Sequence, residues 1–187
     1  MSVPGGDGGW IRSLFGGAMT CDIPKYLDDM SKIMIVPDQQ EAFVNDDGSI
    51  SVIIEILEHQ PVPDTQAAEF FFNDLMAENS SLSSRIVDTS IVPKEQPPMQ
   101  GHTLAFLKGE FQVQKKRAAR PDHVLVRLAI VRIPEHRADI VISMNERLAE
   151  TADGHGNHAE IGAAGSLDDA FLRIVESFRI VNYGLFT

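Results

Sequence analysis

A turn signal between two apolar runs constrains the fold of this 187-residue chain more than any other feature. Asp46-Asp47-Gly48 separates residues 41–45 from residues 49–57, and an Asp-Gly pair in such a position is typical of a β-hairpin, because both residues tolerate positive φ. In the second run, isoleucine and valine side chains fall on one face of a strand, and the opposite face is also mostly apolar. The sequence therefore predicts a hairpin inside a sheet that is covered on both sides.

Further strands and two helices are predicted around this hairpin. A helical apolar stripe begins with Asp64 or Thr65 as N-cap and continues to residue 77, and Ser166-Leu167-Asp168-Asp169 is typical of the capping box that begins a second helix. The other strand candidates are apolar runs divided by turn signals: residues 14–15, 19–23, 85–92, 103–113, 124–133 and 139–145. The predicted fold class is α+β (mixed α/β), with one mainly antiparallel sheet of about six strands and helices packed on it.

The chain's length fits one domain. Residues 1–13 are Gly-rich without apolar periodicity and are predicted to be a flexible leader, so that residues 14–187 form the single domain. Cys21 is the only cysteine, which excludes an intramolecular disulfide and predicts a buried structural thiol in a reducing compartment. There is no secretory signal pattern and no apolar run near the ~20 residues that span a bilayer, so secretion and membrane insertion are disfavoured.

The charge balance favours a protein partner. Sixteen Lys and Arg stand against 27 Asp and Glu, which gives a net charge of -11. That sign repels nucleic acid and anionic membranes and attracts basic protein surfaces, although it is also a common route to solubility. We therefore expect no binding to DNA or RNA.

Motifs for catalysis and cofactor binding are lacking in the sequence. There is no G-x-x-x-x-G-K-[ST] phosphate loop and no G-x-S-x-G nucleophile motif, so we predict no catalytic residues and no cofactor. His155 and His158 form H-x-x-H in the Gly-rich residues 151–165, a pair that could ligate zinc and that leaves a metal-dependent hydrolase as a rival. Solvated loop histidines are the simpler interpretation, and no metal is predicted. Likewise Lys115, Lys116, Arg117 and Arg120 fit an exposed hairpin tip better than a nuclear import signal.

Carboxylates set in or beside apolar segments point to a contact surface instead. Asp38 and Glu41 lie in Val-Pro-Asp-Gln-Gln-Glu before the hairpin turn, and Glu55 and Glu58 lie in the strand after it. A carboxylate inside an apolar strand costs stability unless it is solvated or paired, so Glu55 is the strongest functional candidate, with a plain salt bridge as the structural alternative. Residues three apart on an ideal strand project from opposite faces, so only the strand's end would bring Glu55 and Glu58 together. Our hypothesis is a negatively charged rim around the Asp47-Gly48 turn that docks a partner.

Short segments in order along the chain carry a family resemblance. They are Leu14-Phe15-Gly16-Gly17-Ala18, Val36-Pro37-Asp38-Gln39-Gln40-Glu41, Ile54-Glu55-Ile56-Leu57-Glu58, Asp139-Ile140-Val141-Ile142-Ser143-Met144-Asn145 and Phe178-Arg179-Ile180-Val181 with Leu185-Phe186. In this order they resemble the Mog family of Ran guanine-nucleotide release factors, whose pattern has Val-Pro-Asp-x-Gln-Glu at the second segment. The resemblance implies a sheet with helices on both faces, like the PsbP fold.

The same resemblance implies a function and a site. It implies a protein that is not an enzyme but binds the small GTPase Ran and loosens its guanine nucleotide, in support of nucleocytoplasmic transport. Asp38, Gln40, Glu41, Glu55 and Glu58 would then lie in the Ran contact surface. We further expect a monomer in nucleus and cytoplasm, with other Ran-binding proteins as additional partners. A non-catalytic adaptor or accessory module on the same fold, without release activity, stays open as the alternative.

Overall fold

The computed structural model describes residues 3–4, 9–95, 101–114, 118, 120–148 and 166–186. The elements follow in chain order: β1 (Val3–Pro4), β2 (Gly9–Leu14), β3 (Met19–Pro24), β4 (Asp28–Asp29), β5 (Gln40–Val44), β6 (Ile50–Glu58), α1 (Asp64–Glu78), β7 (Ser83–Val92), β8 (Thr103–Val113), β9 (Asp122–Ile133), β10 (Ala138–Leu148), α2 (Leu167–Ser177) and β11 (Arg179–Ile180). Short 3-10 turns lie at Phe15–Gly17, Met30–Lys32, Pro134–His136 and Tyr183–Phe186.

Two antiparallel sheets account for the strands in the described part of the chain. The larger has seven strands in the order β4, β5, β6, β10, β9, β8, β7, and the smaller has four in the order β1, β2, β3, β11. The predicted α+β fold with a mainly antiparallel sheet is confirmed, but the main sheet has seven strands instead of about six and the second sheet was not predicted. The missed strands β1, β4 and β11 are two residues long and are too short to show a period of their own.

The predicted hairpin is confirmed as β5 and β6, which pair antiparallel from Val44 opposite Ser51 outward. Gly48 takes φ +68° in the turn, a conformation that glycine adopts without steric cost. The Asn45 carbonyl accepts a hydrogen bond from Gly48 N (3.0 Å), and the Asn45 side chain accepts one from Ile50 N (2.9 Å).

A helix packs on each face of the main sheet, as predicted. On one face Ala67, Phe71 and Phe72 of α1 join a cluster of apolar side chains from β8 and β9. Gly109 in β8 allows the Phe72 ring to approach the strand, because a Cβ there would lie 2.6 Å from ring atom Cε2. On the other face α2 and the smaller sheet share a second apolar cluster with the central strands. The central strands are therefore covered on both sides.

The helix starts show one correct and one wrong prediction. Ser166 begins α2 with a capping box, in which Ser166 Oγ accepts from Asp169 N and the Asp169 carboxylate accepts from Ser166 N, each at 3.1 Å. For α1 the N-cap is Pro63, without a side-chain cap, and Asp64 lies in the first turn, so the prediction of Asp64 or Thr65 as N-cap was wrong. An acid inside the first turn is favoured by the helix dipole and gives a similar sequence signal.

The chain enters the smaller sheet earlier than predicted. Residues 9–13, assigned to the leader, belong to β2, which pairs with β3 from Gly9 opposite Pro24 to Leu14 opposite Met19. Backbone hydrogen bonds hold β2 in the sheet, and its side chains do not alternate between apolar and polar. The apolar pattern of the sequence therefore did not reveal this strand. The remainder of the predicted leader, apart from residues 3–4, lies outside the described residues, as does the Gly-rich segment of residues 151–165.

Cys21 is a buried structural thiol, as predicted. Its Sγ donates a hydrogen bond to the Ile174 carbonyl (3.3 Å) and so joins β3 to α2. Burial raises the pKa of the Cys21 thiol to about 12, so the group is protonated at neutral pH. Separately, neither described helix is long and apolar enough to cross a membrane.

A buried ion pair joins the central strands to the chain that follows β6. Arg132 and Asp139 stand opposite each other on β9 and β10, and Arg132 Nε lies 2.9 Å from Asp139 Oδ1. Asp139 Oδ2 accepts from Gln60 N (3.0 Å), and Arg132 donates to the Gln60 carbonyl (2.7 Å). His59 Nδ1 lies 2.8 Å from Asp139 Oδ1. This network fixes where β6 ends and where the chain turns toward α1.

Asp139→Ala is expected to lower the free energy of unfolding by about 3 kcal/mol, because the Arg132 guanidinium loses its buried counter-ion and keeps the more exposed Asp64 carboxylate, 3.5 Å away. Urea denaturation measures the change. The matched control is Arg85→Ala, which breaks the exposed pair with Glu110 and should cost less than about 1 kcal/mol. Equal effects of the two substitutions would contradict the structural role assigned to the buried pair.

Candidate functional site

The predicted site residues gather at the open end of the β5–β6 hairpin. Gln40 stands opposite Glu55, whereas the turn lies beyond the pair formed by Val44 and Ser51. Glu55 lies four residue steps along the strand from Ser51, or about 13 Å. The expectation of an acidic rim around the Asp47-Gly48 turn was therefore wrong: the strand register places these carboxylates at the opposite end of the hairpin.

The carboxylates at this open end are divided between the two faces of the sheet. Glu55 is paired in register with Val141, which belongs to the apolar cluster on the α1 side. Glu41 is paired with Ile54, which belongs to the cluster on the α2 side. Strand alternation places Glu58 on the face opposite Glu55, at the exposed last residue of β6. These acids therefore lie on both faces of the sheet, close to its edge, and do not form a patch on one face.

Glu55 is half-buried and held by Gln40, whose Nε2 donates to Glu55 Oε1 at 2.6 Å. Burial raises the pKa of the Glu55 carboxyl above its ordinary value, the Gln40 hydrogen bond opposes this shift, and the negative charges of Glu78 and Asp74 on α1 add to it. Gln40 is thus a positioning residue for Glu55. The carboxylate sits in a locally negative field that a cation from a partner would neutralise.

Glu41 connects the main sheet to the turn of the smaller one. Glu41 Oε1 accepts a hydrogen bond from the Phe15 backbone N at 2.5 Å. Phe15, Gly16 and Gly17 all have positive φ, and Phe15 is unusual because non-glycine residues seldom adopt that conformation. The Glu41 carboxylate therefore stabilises a strained turn, and this contact brings residues 14–18, which carry part of the family resemblance, beside the site.

A groove of about 420 Å³ lies between this turn and β5. We name it the acidic groove, because three carboxylates line it. Its lining residues are Phe15, Gly16, Asp29, Ser31, Val36, Pro37, Asp38, Gln40, Glu41, Ala42 and Leu185. Asp38 is exposed on the tight turn that the hydrogen bond from Gln40 N to the Pro37 carbonyl closes (2.9 Å).

Sequence reasoning missed an exposed apolar segment that lies next to this groove in the chain. Ile33-Met34-Ile35 lies between groove residues Ser31 and Val36, and the three apolar side chains are exposed. Apolar residues next to a proline turn are equally typical of a short buried strand, so the pattern alone did not separate a core segment from a surface one. Leu185 was likewise quoted only as a mark of resemblance.

A second cavity, of about 390 Å³, lies far from the predicted residues, between β7, β8 and α2. Arg127 bridges its edge by pairing with Asp168 and with buried Glu146, and Lys108 also pairs with Asp168. These charges satisfy one another, so the cavity offers mainly apolar surface. Within the described residues no group of His, Cys, Asp or Glu is arranged to hold a metal. His155, His158 and Lys115 to Arg117 lie outside the described residues.

Comparison with known proteins agrees with this architecture. Residues 12–147 match the family described as Ran-interacting Mog1 protein. The Ran guanine nucleotide release factor of Danio rerio is 28% identical, over 94% of this chain and 98% of its own length. Nuclear import protein mog1 of Schizosaccharomyces pombe is 30% identical, over 74% and 77%. The crystal structure of Saccharomyces cerevisiae Ran-binding protein Mog1p superimposes with a TM-score of 0.74 at 22% identity, covering 96% of this chain and 98% of that one.

The chain therefore belongs to the Ran-interacting Mog1 protein family. The match covers most of the chain, and the resemblance inferred from its short segments is confirmed. The likeness to the yeast structure also confirms the predicted fold class.

Glu41→Ala is expected to lower the free energy of unfolding by about 1–3 kcal/mol, because the Phe15 N–H loses its acceptor. Glu41→Gln keeps an oxygen acceptor and should cost less. The control Asp38→Ala, at an exposed turn, should change stability by less than about 0.5 kcal/mol. Urea denaturation of the three variants makes the comparison, and equal values for Glu41→Ala and Asp38→Ala would contradict the structural role of Glu41.

The raised pKa of Glu55 makes its contribution to stability depend on pH. Because the folded state holds the Glu55 proton more tightly than the unfolded chain, the associated stability is present below the ordinary pKa of 4.5 and is lost as pH rises through the raised value. Glu55→Gln removes this loss. Its free energy of unfolding, relative to the unsubstituted protein, should rise between about pH 4 and about pH 7 in urea denaturation series. A difference that does not vary with pH would contradict the assignment.

Proposed function

We propose that this chain binds the small GTPase Ran and promotes release of its guanine nucleotide, in support of nuclear transport. The observation that carries the proposal is the family match over residues 12–147, supported by relatives named as Ran guanine nucleotide release factors. Relatives named as nuclear import proteins support the connection to transport. We propose that the protein acts as a monomer in nucleus and cytoplasm, and that other Ran-binding proteins are further partners.

We place Ran at the open end of the β5–β6 hairpin, on Asp38, Gln40, Glu41, Glu55 and Glu58. Asp38 and Glu58 are exposed, so their carboxylates are free to meet basic side chains. The chain's net charge of -11 favours the approach of a basic surface. Glu41 contributes chiefly by holding the Phe15–Gly17 turn in place, and Gln40 by holding Glu55.

The release step follows from the surroundings of Glu55. Small GTPases hold their nucleotide through a phosphate-loop lysine and Mg²⁺, so a carboxylate that competes for either weakens retention. Glu55 lies near Asp74 and Glu78, and this negative field disfavours an unneutralised Glu55 carboxylate and attracts a lysine ammonium. Binding the lysine at Glu55 would stabilise a form of Ran with a loosened nucleotide, which is how one ligand shifts the affinity for another. No covalent bond is made or broken in this step, so the protein acts by binding and is not an enzyme.

Charge reversal at the exposed acids tests the proposal. Asp38→Lys and Glu58→Lys are each expected to slow release of a fluorescent guanine nucleotide from Ran by about tenfold or more, because like charges then face each other. Release is followed by fluorescence after mixing with purified Ran. The matched control is Asp88→Lys, an exposed acid on β7 at the opposite edge of the sheet, which should leave release unchanged.

Thermal melting separates a binding effect from a folding effect. Both site variants should melt within about 2 °C of the unsubstituted protein, because neither exposed side chain supports the core. Unfolded variants would show that these acids are structural. Binding of Ran by the unsubstituted protein without faster release would favour the adaptor alternative, and an absence of binding would remove the proposal.

A further inference from the structure

The strongest unexplained feature is an apolar segment that faces solvent beside the acidic groove. Ile33, Met34 and Ile35 are 76%, 54% and 94% exposed, and we call these three residues the apolar ridge. Single apolar residues on a surface are ordinary, but consecutive ones form a continuous apolar patch, and such patches mark interaction sites. None of the three side chains belongs to either of the two apolar clusters described above.

The backbone under the ridge is held in place. The Asp29 side chain accepts a hydrogen bond from Ser31 N (2.8 Å), and the Met30 carbonyl accepts bonds from both Ile33 N (2.9 Å) and Met34 N (3.0 Å). The turn that begins the ridge packs against β5. An apolar segment on an ordered backbone meets a partner with little loss of conformational freedom, which favours binding.

The ridge is continuous with the proposed Ran contact. Ser31 on one side of it and Val36 on the other both line the acidic groove, together with Asp38. Lys32 stands beside the ridge, but three carboxylates, Asp29, Asp38 and Glu41, line the groove next to it. An apolar centre with charged residues at its border is the usual anatomy of a protein interface. The negative charge at this border is complementary to basic side chains at the border of the partner's surface.

We propose that the apolar ridge inserts into an apolar hollow on Ran that is bordered by lysine or arginine side chains. The inference rests on the proposed function and adds the anchor that holds the complex, while the carboxylates supply orientation. A fully desolvated apolar anchor accounts for a large part of binding energy in interfaces of this kind, whereas charges at the rim contribute less. A single partner, Ran, contacts both the apolar ridge and the acidic groove.

The test replaces the anchor without touching the acids. Ile33→Ser combined with Ile35→Ser is expected to raise the Kd for Ran about tenfold or more, measured by calorimetry or by titration of labelled Ran. The matched control is Leu82→Ser, an apolar residue that is 60% exposed just before β7 at the other edge of the sheet, and its Kd should not change. Melting temperatures of both variants should stay within about 2 °C of the unsubstituted protein.

Salt dependence distinguishes the ridge from the charges. Between about 0.05 M and about 0.5 M salt, the loss caused by Asp38→Lys should shrink, because exposed charges are screened. The loss caused by the ridge variant should persist, because burial of apolar surface is not screened. A ridge effect that vanishes with salt would overturn the proposal.

Each other outcome has one meaning. If Asp38→Lys weakens Ran binding and the ridge variant does not, the ridge inference is wrong and the proposed function stands. If the unsubstituted protein does not bind Ran, the proposed function fails and the ridge inference with it. If sedimentation shows a dimer that the ridge variant abolishes, or vesicles of anionic lipid bind through the ridge while Ran binding is unaffected, the ridge serves a second copy of the chain or a membrane, and the proposal is wrong.

Discussion

The ion pair between Arg132 and Asp139 is the interaction on which the candidate site depends. The pair crosses β9 and β10 where both strands are buried, and its further hydrogen bonds go to His59, Gln60 and Val62. A buried charge pair is tolerable only when its other donors and acceptors are satisfied, so the chain after β6 must follow one path. That path ends β6 at Glu58 and starts α1 at Asp64. The core therefore sets the position of Glu58, a proposed contact residue, and of the helix that carries Asp74 and Glu78.

The acids at the open end of the β5–β6 hairpin have separate physical roles, although the sequence presents them as one set. The Glu41 carboxylate accepts a hydrogen bond from a backbone N–H in a turn with positive φ. Glu55 is half-buried and accepts a hydrogen bond from the Gln40 side chain. Asp38 and Glu58 are exposed. A carboxylate that already accepts a hydrogen bond from the backbone of its own chain contributes little to binding a partner. An exposed carboxylate can bind a partner at little cost in free energy. Asp38 and Glu58 are thus the proposed docking charges, and Glu41 and Glu55 are held in place by the fold itself.

The sequence was sufficient for the parts of the fold that depend on local pattern. The Asp-Gly turn, the capping box at Ser166 and the long apolar strands were predicted because neighbours in the chain determine them. The smaller sheet was not, because β2 pairs through its backbone without an apolar period, and β11 reaches β3 from the far end of the chain. The same limit applies to the site. Which end of the hairpin holds Glu55, and that Glu41 contacts Phe15, depend on strand register and on a contact between residues 26 apart in sequence.

In the proposed complex with Ran, the exposed acids Asp38 and Glu58 and the apolar ridge act on different steps of binding. Exposed charges raise the rate of encounter with a basic surface and fix its orientation, and their effect decreases with salt. Buried apolar contact acts mainly on the rate at which the complex separates. A release factor has to hold Ran long enough for its nucleotide to leave, so steering by Asp38 and Glu58 alone would give a complex that forms quickly and separates before release. The ridge at residues 33–35 supplies the missing retention, and its place beside the groove keeps Glu55 near the same partner while the nucleotide departs.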